Sequence, residues 1–120
     1  METMETIIGA LRKATDARHV TRGWPEAEAA DWTPIIAVQL AGESCTMRYD
    51  DAAYLMETEL YLRIFDVEPG NVDRVARQAE TCMAALGFAP VFAHEETDRQ
   101  MHQRVCRYQK TWTKERTDEQ

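Results

Sequence analysis

Met4, Ile7, Ile8 and Leu11 recur at i, i+3, i+4 and i+7, the spacing of one helix face, and predict an amphipathic helix ending near Ala14. Residues 15–34 lack a clean period and contain Gly23, Pro25 and Pro34, so they read as a long connection carrying Trp24 and Trp32. Connections longer than about 12–15 residues are uncommon in compact domains and tend to be functional. Two tryptophans on such a connection are costly to leave in water, so they are candidates for contact with the core or a neighbouring subunit. Residues 35–40 form an apolar run, the Gly42-Glu43-Ser44 triplet suggests a turn, and residues 45–49 suggest a second strand, together a hairpin. Asp50-Asp51 marks another turn.

Residues 54–65 alternate without interruption. Met56, Thr58, Leu60, Leu62 and Ile64 point one way, and Glu57, Glu59, Tyr61, Arg63 and Phe65 the other. Asn71 is an N-cap candidate for the helix that follows, whose stripe is Val72, Val75, Ala76, Ala79, Cys82, Met83 and Leu86. Gly87 supplies a left-handed stop. Residues 88–95 read as a strand, with Pro90 placing it at a sheet edge or lying near its start, residues 96–100 as a turn, and residues 102–112 as a last strand with two mixed faces. The order is α-β-β-β-α-β-β. Each helix offers one apolar stripe, which predicts an α+β fold: a mostly antiparallel sheet of four to five strands with two helices on one face. Residues 1–112 form the expected single domain, and residues 113–120 a polar, flexible tail.

Composition narrows the function. The 120 residues hold 14 basic and 21 acidic side chains, a net charge of −7, which argues against a protein that coats nucleic acid. No uncharged run approaches the roughly 18 residues of a membrane-spanning helix, and the acidic start lacks the positive region of a secretory signal. Cys45, Cys82 and Cys106 are odd in number and widely spaced, which favours reduced thiols over a disulfide framework.

Catalytic patterns are missing from the sequence. The five glycines match no phosphate-loop spacing, and Ser44 is the sole serine, so nucleophilic serine chemistry has no framework. His94, His102 and Cys106 are three scattered metal-ligand candidates where zinc usually takes four paired ones, so surface histidines and a half-buried thiol are the plainer reading. Arg104 and Arg107 flank Cys106, an arrangement that can lower a thiol pKa, but with no paired His or resolving Cys nearby a structural thiol is the plainer reading. No catalytic, cofactor or metal site is expected.

Charge distribution points elsewhere. Residues 1–60 carry five basic and eleven acidic side chains, residues 61–120 nine and ten. Arg99, Arg104, Arg107, Lys110, Lys114 and Arg116 stand against Glu115 alone in their stretch. The face with Glu57, Glu59, Tyr61, Arg63 and Phe65 mixes charge with aromatics, as protein–protein contacts do. A head-to-tail assembly pairs that face with Arg104, Arg107 and Lys110 of the next copy; cross-strand pairing within one sheet explains the same residues.

Several segments together resemble a family: Gly23-Trp24-Pro25, the strand Glu57-Thr-Glu-Leu-Tyr-Leu-Arg-Ile64, the stop Leu86-Gly87-Phe88, then Asp98 and Arg104-Val-Cys-Arg-Tyr108. Over residues 7–113 the layout is similar to the small tail-terminator (tail-completion) proteins of long-tailed bacteriophages and prophages. The resemblance implies a non-catalytic virion protein without cofactor, assembled in the host bacterial cytoplasm and sited at the head-proximal end of the tail. It implies a hexameric ring of identical copies that caps the tail tube protein, ends tube growth and presents a surface to the head-completion (connector) protein. A head-completion adaptor of the same region, and a small cytoplasmic dimeric ligand-binding module, are the alternatives.

Overall fold

The computed structural model describes residues 3–23, 33–49, 53–98 and 100–115. The element order is α1 (Met4–Ala14), β1 (His19–Arg22), β2 (Ile35–Tyr49), β3 (Ala53–Asp66), α2 (Pro69–Ala85), β4 (Ala89–Asp98) and β5 (Met101–Glu115). The five strands form one sheet in the order β1-β2-β3-β5-β4, with only the β1–β2 pair parallel. This is the α+β fold the hydrophobic pattern predicts.

Both helices bury their stripes against one sheet face. Ile7, Ile8 and Leu11 of α1 and Val72, Val75, Ala79 and Met83 of α2 meet Ile36, Val38, Leu60, Leu62, Ile64, Cys106 and Tyr108 in one core. A second cluster on the opposite face holds Ile35, Ala37 and Phe65, with Met101 packed against it. The helices are tied to each other at the surface, where the Asp16 N–H donates to Gln78 Oε1 (2.7 Å) and Gln78 Nε2 returns a bond to Asp16 Oδ2 (2.9 Å).

Local signals explain the helix ends. The Thr3 hydroxyl accepts from the Thr6 N–H (3.2 Å) and caps α1. Gly87, at φ +90°, closes α2 with two bonds, Phe88 N–H to the Met83 carbonyl (2.9 Å) and Gly87 N–H to the Ala84 carbonyl (3.0 Å), the pattern of a Schellman stop. The start of α2 differs from expectation. Asn71 lies inside the helix, and its Nδ2 donates to Asp66 Oδ2 (3.0 Å) while Asp66 Oδ1 accepts from the Glu68 N–H (3.1 Å). Buried Asp66 therefore organises the turn, and Pro69 starts the helix where a missing N–H costs nothing.

Three strands also differ from the sequence reading. The expected hairpin over residues 35–49 is one continuous strand, β2, with irregularities between Leu40 and Gly42 and between Cys45 and Met47. Gly42 serves a bulge instead of a turn, because bulges absorb extra residues while both halves of β2 stay paired along β3. Within the presumed connection, His19–Arg22 form β1, parallel to β2, where Val20 is the single buried residue. Four residues are too few to display alternation. The last strand runs on past Trp112 through Glu115, opposite Ala53, into the stretch expected to be tail.

The molecule measures 52 × 25 × 23 Å. Its length comes from β2, β3 and β5, whose far halves pair with one another beyond the level of Leu40, Leu60 and Tyr108 and form a three-stranded arm. Thr58, fully buried where the arm begins, accepts from Trp112 Nε1 (2.9 Å) and donates to Glu43 Oε2 (3.2 Å).

Candidate functional site: the sheet surface and its edges

Strand register places the sequence-derived surface residues. β5 lies beside β3 in the same sheet, so the basic strand is the neighbour of the acidic one within the chain. Arg107 reaches Glu59 through both Nε (3.0 Å) and Nη2. The guanidinium groups of Arg63 and Arg107 each lie 5.9 Å from the Tyr61 ring centroid. Glu57, Glu59, Tyr61 and Arg63 share this face, opposite the helices, and all four are half-buried.

Other members of the expected patches separate. Phe65 is not an exposed aromatic; at 4% exposure it belongs to the second apolar cluster with Ile35 and Ala37. Arg104 and Lys110 lie an odd number of residues from Arg107, so strand alternation turns them to the helix-bearing face. There Arg104 Nη1 donates to Glu95 Oε1 (3.2 Å). Lys110 Nζ donates to the Leu86 carbonyl at the end of α2 (2.7 Å) and lies 5.7 Å from the Phe88 ring centroid. Trp24 and Trp32 lie outside the described residues.

Cys82 and Cys106 take the places expected of structural thiols. Cys106 is buried, and desolvation raises its thiol pKa above the usual range despite the opposing pull of Arg104. Burial likewise raises Cys82, while Cys45 is exposed on the arm. His94 Nε2 is 2.9 Å from Glu96 Oε1, and His102 Nδ1 is 3.3 Å from Thr97 Oγ1. Cys106 lies in the core, four residues from His102 on the same face of β5, whereas His94, paired with Val105, is on the other face. Among the described residues no group of three or more His, Cys, Asp or Glu is placed to hold a metal ion.

A cleft of about 240 Å³ lies between α2 and the β4–β5 pair, lined by Asp73, Arg77, Glu80, Phe92, Arg104 and Tyr108. It is below the roughly 300–1,000 Å³ of small-molecule sites, and its charges are of both signs. An apolar groove runs between α1 and α2 over Ala10, Ala14, Cys82, Ala85 and Leu86.

The edge position that Pro90 suggests for the 88–95 strand agrees with the fold, in which β4 ends the sheet; the exposed edge along β2 has no such signal in the sequence. Among the described residues β1 covers β2 only as far as Val38, whose carbonyl accepts from the Gly23 N–H (2.7 Å). Among the described residues, positions 40–49 of β2 have no strand on their outer side, and β4 is the opposite edge of the sheet. Large exposed apolar side chains mark both: Leu40 (46%) and Met47 (52%) on β2, Val91 (50%) and Phe92 (56%) on β4. Periodicity identifies strands but not their order, so Leu40 and Met47 had no sequence signal as edge positions, whereas Pro90 marked the strand that carries Val91 and Phe92. Among the described residues no helix is long and apolar enough to cross a membrane.

No family model matches the chain, and no curated protein matches it in sequence. The fold is similar to that of a solved chain from the virion of a native gene transfer agent (GTA) particle. The TM-score is 0.50 at 10% identity, covering 88% of this chain and 82% of that one.

Proposed function

We propose that this chain is a structural subunit of a phage-like particle, acting as a ring at the head-proximal end of a tail: it caps the tube, stops its growth and offers the surface on which the head connector docks. The observation that carries this reading is the likeness in fold, over most of both chains, to a component of a gene transfer agent virion. The form of the molecule agrees with it. A ring of identical subunits needs two unlike patches per copy, related by a rotation that closes. The long sheet, with a different open edge on each side, provides unlike patches. The work of such a subunit is done by shape and contact, and polar groups of the sheet surface are engaged within the chain, as in the Glu59–Arg107 pair.

The test is assembly. Purified protein is examined at high concentration by native mass spectrometry and negative-stain imaging, alone and with tubes polymerised from the tail tube protein of the same particle. Closed rings, six copies expected, seated on one end of each tube support the reading. A fixed dimer that ignores tubes and is stabilised by a small metabolite overturns it.

A further inference from the structure

We propose that neighbouring copies join by strand pairing, the open edge of β2 (residues 40–49) in one copy adding to the free edge of β4 (Ala89–Asp98) in the next, so that the sheet continues from subunit to subunit. This rests on the ring reading and specifies its interface.

Four observations converge on it. The first is length. β4 has ten residues and the open stretch of β2 matches it, so an antiparallel ladder spans both with neither end left over. The second is direction. Along the sheet β2, β3, β5 and β4 alternate in sense, so a copy placed next to β4 by simple repetition presents its β2 antiparallel.

The third is register. In the fully overlapped ladder Cys45 stands opposite Ala93. Cys45 pairs in its own chain with Met56, and Ala93 with Cys106, so both side chains are on the helix-bearing face. Alternation along the ladders also turns the backbone N–H and C=O groups of both residues outward. The Thr46 hydroxyl bond to the Leu55 carbonyl (3.2 Å) fits this, because it shows Leu55 facing β2 and therefore Met56 facing β5. Face and hydrogen-bonding phase thus agree in the same register, which a one-residue slip destroys.

The fourth is geometry. Cys45 is level with Met56, and Ala93, through Cys106, with Leu62, so joining them offsets successive copies by six residues. That is about 20 Å along the strands, against about 19 Å for four strand spacings. Strands in the resulting ring tilt about 45° from its axis, at the upper end of the range for closed barrels. Leu40, Met47, Val91 and Phe92, exposed in the single chain, flank this seam. Long exposed edges with apolar side chains are templates for pairing unless something covers them.

The experiment uses the full chain with Ala93→Cys. Cys45 is exposed, whereas Cys82 and Cys106 are 8% and 6% exposed, so a short bis-maleimide joins Cys45 only to the introduced thiol. The expected result is a ladder of covalent oligomers up to the ring, lost when Cys45→Ser is added. In parallel, hydrogen exchange on the unmodified protein slows at least tenfold in residues 40–49 and 89–98 on assembly, a readout independent of the variant. Covalent dimers of the unmodified protein through Cys45 overturn the proposal, since they place two β2 edges together. Rings without either ladder or edge protection overturn it and leave the ring reading intact. Absence of assembly at any concentration, alone or on tubes, removes both.

Discussion

Replacing Lys110 by Met separates two roles for a residue that sequence marks as part of a basic contact surface. In the fold its Nζ is 2.7 Å from the Leu86 carbonyl, one of the acceptors left open at the end of α2, and 5.7 Å from the Phe88 ring centroid. Its stem also crosses Gly87 so closely that a Cβ built there meets Lys110 Cε at 3.1 Å. Methionine keeps the stem and deletes the charge. A hydrogen bond from a charged donor contributes about 1.5–3 kcal/mol, and a cation at a helix C-terminus about 0.3–1 kcal/mol. Lys110 is only half-buried, so partial solvation discounts both, leaving a loss of about 1–2 kcal/mol. For a domain of this size the melting midpoint falls by about 4–8 °C. Urea unfolding and calorimetry of dilute, unassembled protein measure the loss, and sedimentation of concentrated protein measures assembly. If Lys110→Met unfolds at the wild-type midpoint but no longer assembles, the lysine faces a neighbour and the capping argument is wrong.

Leu62, fully buried in the core between α1, α2 and the sheet, is expected to cost about 2–5 kcal/mol when changed to Ala, read as a reduced urea midpoint; a change within 0.5 kcal/mol contradicts the packing described. Alkali should destabilise the fold. Burial raises the pKa of Cys82, Cys106 and Tyr108 above the ordinary 9.0, 9.0 and 10.0, so the folded state keeps protons that the unfolded state releases. Their contribution is complete below those ordinary values and is lost as pH climbs towards the folded ones, at no more than about 1.4 kcal/mol per pH unit per group. Urea midpoints at pH 8 and 10.5 measure the fall, and Tyr108→Phe makes it shallower. Salt distinguishes the two kinds of subunit contact: pairing through backbone edges strengthens as salt screens the −7 charge, whereas contacts between acidic and basic patches weaken. Sedimentation at 50 and 500 mM salt gives the sign.

Elements with a sustained period were legible in the sequence: α1, α2 and β3 lie where alternation or helical spacing put them, and Gly87 stops α2 as its conformational freedom suggests. The misreadings share one cause, which is that local signals do not specify pairing partners. Gly42 carries turn chemistry, yet a 14-residue β3 is long enough to hold the whole of β2, and the glycine becomes a bulge. Val20 is the one core contact of β1 and leaves no periodic trace. Asn71 is a good cap in isolation, but Asp66 at the end of β3 already supplies the carboxylate that organises the turn. The charged surface illustrates the same point, since the sequence allowed both a contact between copies and a cross-strand pair, and the fold forms the cross-strand pair. Glu59 and Arg107 are 48 residues apart and meet because β3 and β5 are neighbours, a fact of strand order that composition does not carry.

That strand order also changes what holds copies together in the proposed ring. Like-charged subunits repel, so attraction between them needs either unsatisfied charge of opposite sign or contacts indifferent to charge. The conspicuous cations of the chain are committed internally: Arg107 to Glu59, Arg104 to Glu95, Arg74 to Asp16 and Lys110 to the end of α2. A charge-indifferent contact is therefore the more economical means of association. Backbone pairing has that property, since each added strand satisfies N–H and C=O groups whatever the side chains carry. The arm supplies the need as well as the means. It extends the sheet beyond the main core, residues 43–47 of its β2 are exposed, and Leu55 and Met56 of β3 remain half-buried, so a strand from the next copy completes a hydrophobic surface that one chain leaves unfinished.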